Sequence, residues 1–426
     1  MREMRVFTAE IKRLLKTRSV LILMLTAILL APVLAYFPVS FETWTYRDES
    51  GQEVTVKGRE ALDREAKNQG QFQGEITEEK LLASVQRWKD FTANYEGGLP
   101  DGIYDERVTA SDYCENVSNV SGILNRICEA WADPDTGIAP GRDDLTEEQV
   151  TGFYDQCRQH IKDLIYLEGG GQSARTNSAV RQALALYDQA EMPFIYEPGL
   201  TANAIEYVGI YVFLLVLICT FILVPVFASD CQTRADQILR CARDGRGRLA
   251  VSRILAGLLL AGVLYVVCMA LFLLLLNASF DFRGLDTSLQ LLVSVSVFLP
   301  LTVGQMELLI GAAGFLSLLA TAAFTLFLSG RMKTVASASI AAFAFLILPM
   351  VVYMILGGNI GNWVRCLLPS GGVGLMNSFT YAAMDTGFAY LENAAIWLPY
   401  LMLGAAAAEC ILLAVLAGVS WCRREG

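Results

Sequence analysis

Six long apolar runs dictate what this chain can become: Ser19 to Phe37, Tyr207 to Ala228, Ile254 to Leu276, Leu308 to Leu328, Val335 to Leu356 and Ile396 to Trp421. A helix needs about 20 apolar residues to cross about 30 Å of hydrocarbon. Each run meets that length, so an all-α polytopic membrane protein with six transmembrane helices is expected. A further run, Leu289 to Leu299, stops at Pro300 and is too short to cross. It reads as an outer-face or re-entrant helix leading into span four.

Charge is segregated against these runs. Residues 39–206 hold 31 of the 43 acidic and 15 of the 33 basic residues. With 54% hydrophobic residues over the whole chain, that split excludes a single soluble globule and excludes disorder. Lys and Arg beside the spans set the orientation. One side holds Arg2, Arg5, Lys12, Arg13, Lys16 and Arg18, then Arg234, Arg240, Arg243, Arg246, Arg248 and Arg253, then Arg331, Lys333, Arg423 and Arg424. The short loops opposite hold only Arg283 and Arg365. Both termini are therefore expected in the cytoplasm and the acidic segment outside, with Tyr36, Tyr207, Trp397 and Trp421 as interfacial anchors.

The resulting division begins with an inner-leaflet helix (1–18), span one (19–38) and an extracellular domain (39–206). Span two (207–228), a cytoplasmic loop (229–250), span three (251–277) and an external loop (278–307) follow. The rest is span four (308–328), a short inner loop (329–334), span five (335–356), an external loop (357–395), span six (396–421) and a tail (422–426). In the leader, Met4, Phe7, Ile11, Leu14 and Leu15 recur at helical spacing opposite basic residues, so it should lie on the membrane and stay uncleaved, although Val33 and Ala35 imitate a cleavage pair.

The outer domain opens with two β-leaning runs around a Ser-Gly turn, a small hairpin, and continues as helices. Thr77 and Ser111 are the expected N-caps, and Thr146 with Gln149 makes a capping box. Leu81, Leu82, Val85 and Trp88 read as core. The sole histidine, His160, has no partner at metal-ligand spacing and is expected to be solvated. Cys114, Cys128 and Cys157 allow one disulfide, with no pairing legible.

Between spans two and three stands PVFASDCQTRADQILRCARDGRGRLAVSRILAG. Acids and arginines interleave around Ile238 and Leu239, which suits a short surface helix from about Thr233 to Ala242 ending at Gly245 and Gly247. From composition it is a solvated basic loop. Its order of Phe227, Ser229, Asp230, Asp236, Ile238, Leu239, Gly245, Arg246, Leu249 and Arg253 resembles the coupling loop of ABC-2 class ABC transporter permeases of Gram-positive type. Asp230 and Arg234 depart from that pattern. The resemblance extends to TWTYRDESGQEVTVKG after span one, LPLTVGQMELL before span four and LLPSGGVGL after span five.

The resemblance implies a permease subunit of a bacterial plasma membrane that pairs with a second permease and with a cytoplasmic ATPase, within membrane lipid and with no nucleic acid. No G-x-x-x-x-G-K-[ST] sequence is present, so ATP and Mg would sit on the partner and this chain would carry no cofactor, metal or catalytic residue. By the same resemblance Asp236, Ile238, Leu239, Arg243, Gly245 and Arg246 would contact the ATPase.

Polar residues inside apolar runs mark a possible transport path. Glu409 falls near the middle of span six, where a charge costs about 2.5–3.5 kcal/mol, so it should face protein or water. Gln305 and Glu307 open span four and could line an exit. Gly257 with Ala261, and Gly404 with Ala408, have spacing that lets helices approach closely. The expected function is export driven by the partner ATPase. The alternative is a receptor or sensor whose outer domain binds a ligand and signals through a partner. A hydrolase is disfavoured, because no span carries His, paired Asp or a Ser-Lys pair.

Overall fold

The computed structural model describes residues 2–99, 102–242, 245–375 and 377–423, and the side chains from residue 5 onward. It is an all-α membrane fold with three two-stranded sheets. Six helices are long and apolar enough to cross a bilayer. Span one is Arg18–Phe41 and span two Ala202–Leu223, prolonged by Pro225–Thr233. Span three is Gly247–Ser279, span four Val303–Arg331, span five Val335–Ile355 and span six Leu398–Arg423. Several extend past their apolar runs, because a helix does not end where lipid ends.

Span four is the centre of the bundle and packs on spans two, three, five and six. Small residues permit it: a Cβ at Gly314 would stand 2.6 Å from Val212 Cγ1. Span one offers Ala27, Ala31 and Ala35 in one buried row, and the Tyr211 hydroxyl of span two donates to the Ala27 carbonyl at 3.0 Å. Gly257 and Ala261 are buried between helices as their spacing predicts. Gly404 and Ala408 are exposed instead, with nothing within 4 Å of a Cβ at Gly404.

The outer domain begins with the expected hairpin, Thr43–Arg47 against Glu53–Lys57. Its helical core gathers Leu81, Val85, Trp88, Leu124, Ile127, Phe153, Ile161 and Tyr187. The Thr77 cap and the Thr146–Gln149 capping box form. Ser111 is not a cap: Thr109 caps that helix two residues earlier, and the Ser111 hydroxyl donates to Glu53 at 2.6 Å. His160 is also not solvated. It is 6% exposed, on the inward face of Phe153–Glu168 with Phe153, Cys157, Ile161 and Ile165, and burial lowers its pKa. Cys114, Cys128 and Cys157 are free thiols.

The short run before span four packs against the domain inserted between spans one and two. Only Leu289–Leu292 is helical; beyond it Gln290 Nε2 donates to the carbonyls of Val297 and Leu299, both at 2.9 Å. Arg126 of the outer domain donates to the Val293 carbonyl. A second seat is the hairpin Phe388–Tyr390 with Ala395–Trp397, so the first two residues of the apolar run assigned to span six are strand. Gln182 Nε2 reaches the Ala395 carbonyl at 2.7 Å, and Thr386 Oγ1 donates to Glu168 at 2.7 Å.

Candidate functional site

Where span two ends, Pro225 cannot donate to the helix ladder, and Val224, at φ −50° and ψ −45°, joins the span to a second helical segment, Pro225–Thr233. Ser329 of span four satisfies the groups left over. Its hydroxyl accepts from the backbone N–H of Phe227 at 3.0 Å and of Ala228 at 2.9 Å, and donates to the Val224 carbonyl at 2.6 Å. The elbow Pro225–Thr233 thus has a fixed exit direction. It ends at Arg234, a non-glycine residue in the left-handed region at φ 59°, and a separate short helix runs Ala235–Cys241. The single helix expected from Thr233 to Ala242 is therefore broken after Thr233, because the left-handed turn redirects the chain.

The short helix is fastened to the rest of the molecule. Asp236 is buried and pairs with Arg240, Oδ2 to Nη2 at 2.8 Å, and the Arg240 guanidinium lies 5.8 Å from the Trp421 ring centre. Trp421 Nε1 donates to the Gly245 carbonyl at 3.2 Å. Trp421 is fully buried at the end of span six, so it ties this loop down instead of anchoring at the lipid interface. Gly245 is obligatory, since a Cβ there would stand 1.6 Å from the Leu239 carbonyl oxygen.

Beneath the elbow is a cluster of buried charge that joins three segments. Arg253 of span three, 3% exposed, pairs with Asp230 of the elbow and with Glu10 of the leader helix Arg2–Lys16, the latter at 3.4 Å. Arg13 of the leader pairs with Glu10 at 2.8 Å and donates to the Val226 carbonyl at 3.2 Å. The Arg253 guanidinium also lies 5.3 Å from the Trp421 ring and 5.7 Å from the Phe227 ring. Burial and Arg253 lower the Arg13 pKa, while Glu10 and Asp230 oppose that shift. Two acids and two arginines balance there, so no net charge is left desolvated.

The residues singled out in the sequence are thus divided among three roles. Ile238 is 77% exposed and Arg246 is exposed, whereas Asp236 and Gly245 are buried. Leu239 is half-buried against the protein's own core. Arg243 lies outside the described residues. The membrane-embedded candidates do not converge. Gln305 is exposed and completes a capping box with Thr302, and Glu307 is buried, accepting from Asn277 of span three at 2.9 Å. Glu409 is half-buried, and its Oε2 has no hydrogen-bond partner among the described residues. Sequence reasoning missed Glu10, Ser329 and the inward role of Trp421. The one available signal was Glu10, one of only two acids, with Glu3, in a basic leader.

Comparison with known proteins agrees with this architecture. The profile described as ABC-2 family transporter protein matches residues 48–416, from the turn of the first hairpin into span six. No curated protein matches the chain. Members of the family are membrane subunits of ABC transporters that associate with an ABC ATPase and usually with a permease partner. The chain belongs to the ABC-2 transporter family and is a multi-pass membrane subunit of an ABC transporter.

Proposed function

We propose that this subunit exports its substrate and is driven by a cytoplasmic ATPase docking on the loop between spans two and three, with both termini on that side. The observation that carries this reading is the short helix Ala235–Cys241, which presents Ile238 to solvent while Asp236, Arg240, Gly245 and Trp421 hold it from behind. An exposed isoleucine on a braced helix is a suitable centre for an interface, and exposed Arg246 suits its rim.

The same contacts supply a route for movement. ATPase closure would displace the short helix as a unit. The Trp421 contacts carry that displacement to span six, and Asp230 and Arg253 carry it to spans two and three and, through Glu10, to the leader. Buried charges resist separation, because breaking one pair leaves the remainder unpaired in a desolvated site. The elbow therefore moves with its neighbours. Outward transport is the direction we infer for a subunit whose loop and large inserted domain resemble those of ABC-2 permeases.

The decisive experiment is purification of the intact chain with its ATPase. Ile238→Asp should weaken co-purification by about thirtyfold, the scale of an interface hot spot, while expression and thermal unfolding stay unchanged. Retention of the ATPase by this variant would remove the loop from the interface. Leu239 is unsuited to the test because it packs on the protein's own core.

A further inference from the structure

At the basic end of the bundle a groove of about 340 Å³ opens between the last turns of spans four and six. Two arginines stand at its mouth, Arg331 closing span four and Arg423 closing span six, and both are exposed. Neither has an acidic partner among the described residues, and Arg331 lies 5.8 Å from the Phe327 ring centre. Between them Ser420 is 9% exposed, and its hydroxyl has no hydrogen-bond partner among the described residues. Gly330 leaves the space in front of it, since a Cβ there would be 3.9 Å from Ser420 Oγ. The apolar wall is Leu416 and Val419, and exposed Leu412 continues it along the same face of span six.

We propose that this groove binds an anionic phospholipid, with the headgroup phosphate between Arg331, Arg423 and Ser420 and an acyl chain along Leu412, Leu416 and Val419. Position selects this occupant. The groove lies where two spanning helices end, so its polar mouth meets headgroups while its wall meets acyl chains. Charge agrees as well. The two helix C-termini contribute about half a negative charge each, which two guanidiniums exceed. The phosphate would also give the buried Ser420 hydroxyl the acceptor it lacks. Lipid bound there would bridge the ends of spans four and six, beside the Trp421 contacts. The proposal needs only the membrane placement of the chain and stands apart from ATPase docking.

The test is a lipid titration of the detergent-solubilised full chain followed by native mass spectrometry, with phosphatidylglycerol, phosphatidylcholine and inorganic phosphate as probes. Phosphatidylglycerol should bind at least about tenfold more tightly than phosphatidylcholine. The double variant Arg331→Gln, Arg423→Gln should weaken it about thirtyfold, from about fivefold per cationic side chain at a membrane surface. Ser420→Ala, which keeps both charges and the packing, should weaken it about tenfold. Equal binding of the two lipids, or wild-type affinity in either variant, overturns the proposal. Displacement of phosphatidylglycerol by an equal concentration of inorganic phosphate makes this a free-anion site and overturns the lipid assignment.

Discussion

At the residue scale, several positions are decided by neighbours distant in the chain. Gly245 lies against the Leu239 carbonyl so closely that no Cβ fits, and its own carbonyl receives the Trp421 indole. Gly245→Ala must displace backbone, and we expect the ATPase to be lost along with a lower unfolding temperature; an unchanged variant would show the close approach to be dispensable. Ser329→Ala removes the three hydrogen bonds its hydroxyl makes at the elbow and should lower the unfolding temperature, each such bond contributing about 0.5–1.5 kcal/mol. His160 adds a pH dependence. Its protonated form is disfavoured by burial, although Glu129 and Asp163 partly offset this. For a base with a lowered folded pKa, stability is intact above the ordinary value of 6.5 and falls as pH drops below it. The outer domain should therefore lose thermal stability from about pH 6.5 downward, and His160→Leu should flatten that limb; parallel melting curves for the two proteins would refute the assignment.

At the element scale, the elbow behaves as a joint between helices that otherwise end at the membrane surface. Proline ends the regular ladder, Ser329 receives the freed groups, and the Glu10, Arg13, Asp230 and Arg253 cluster sets the direction in which the elbow leaves. Because these charges interact inside one cluster, substitutions there should not add. A cycle of Glu10→Gln and Arg253→Met, read by thermal unfolding of the purified chain, should give a coupling of about 0.5–3 kcal/mol. Strict additivity would mean the leader and span three are held by packing alone. The leader's apolar periodicity is legible in the sequence, but the buried pairing of Glu10 with Arg253 is not, since that partner lies more than two hundred positions away. The hairpin at Thr43–Arg47 is legible because local alternation and a turn specify it; the hairpin at Phe388–Tyr390 lacks so clear a local pattern and is held by the outer domain above it.

At the scale of the whole molecule, the outer domain is seated on two external loops, through Arg126 and the Val293 carbonyl on one side and Gln182 and the Ala395 carbonyl on the other. Motion in spans three, four or six would therefore reach it directly. The orientation is tested by labelling. With the ten native cysteines replaced, a cysteine at position 90 should react with an impermeant reagent added outside, and one at position 246 should not. The reverse pattern would invert the topology and move the short helix away from any cytoplasmic ATPase.

The amino-acid sequence alone determined the number and approximate limits of the spans, the basic asymmetry and the place of the large acidic domain. These follow from run length and local composition, which need no knowledge of what packs on what. It also determined the hairpin and most caps, whose geometry is set within a few residues. Only the tertiary structure decided which polar groups are buried and paired. His160 and Trp421 read as solvated and interfacial, yet both are drawn inward by their fold neighbours, and Asp236 and Glu307 are buried as well. The reason is that desolvation is set by the whole surrounding surface and pairing by segments far apart in sequence, so neither is a property of a residue's local string.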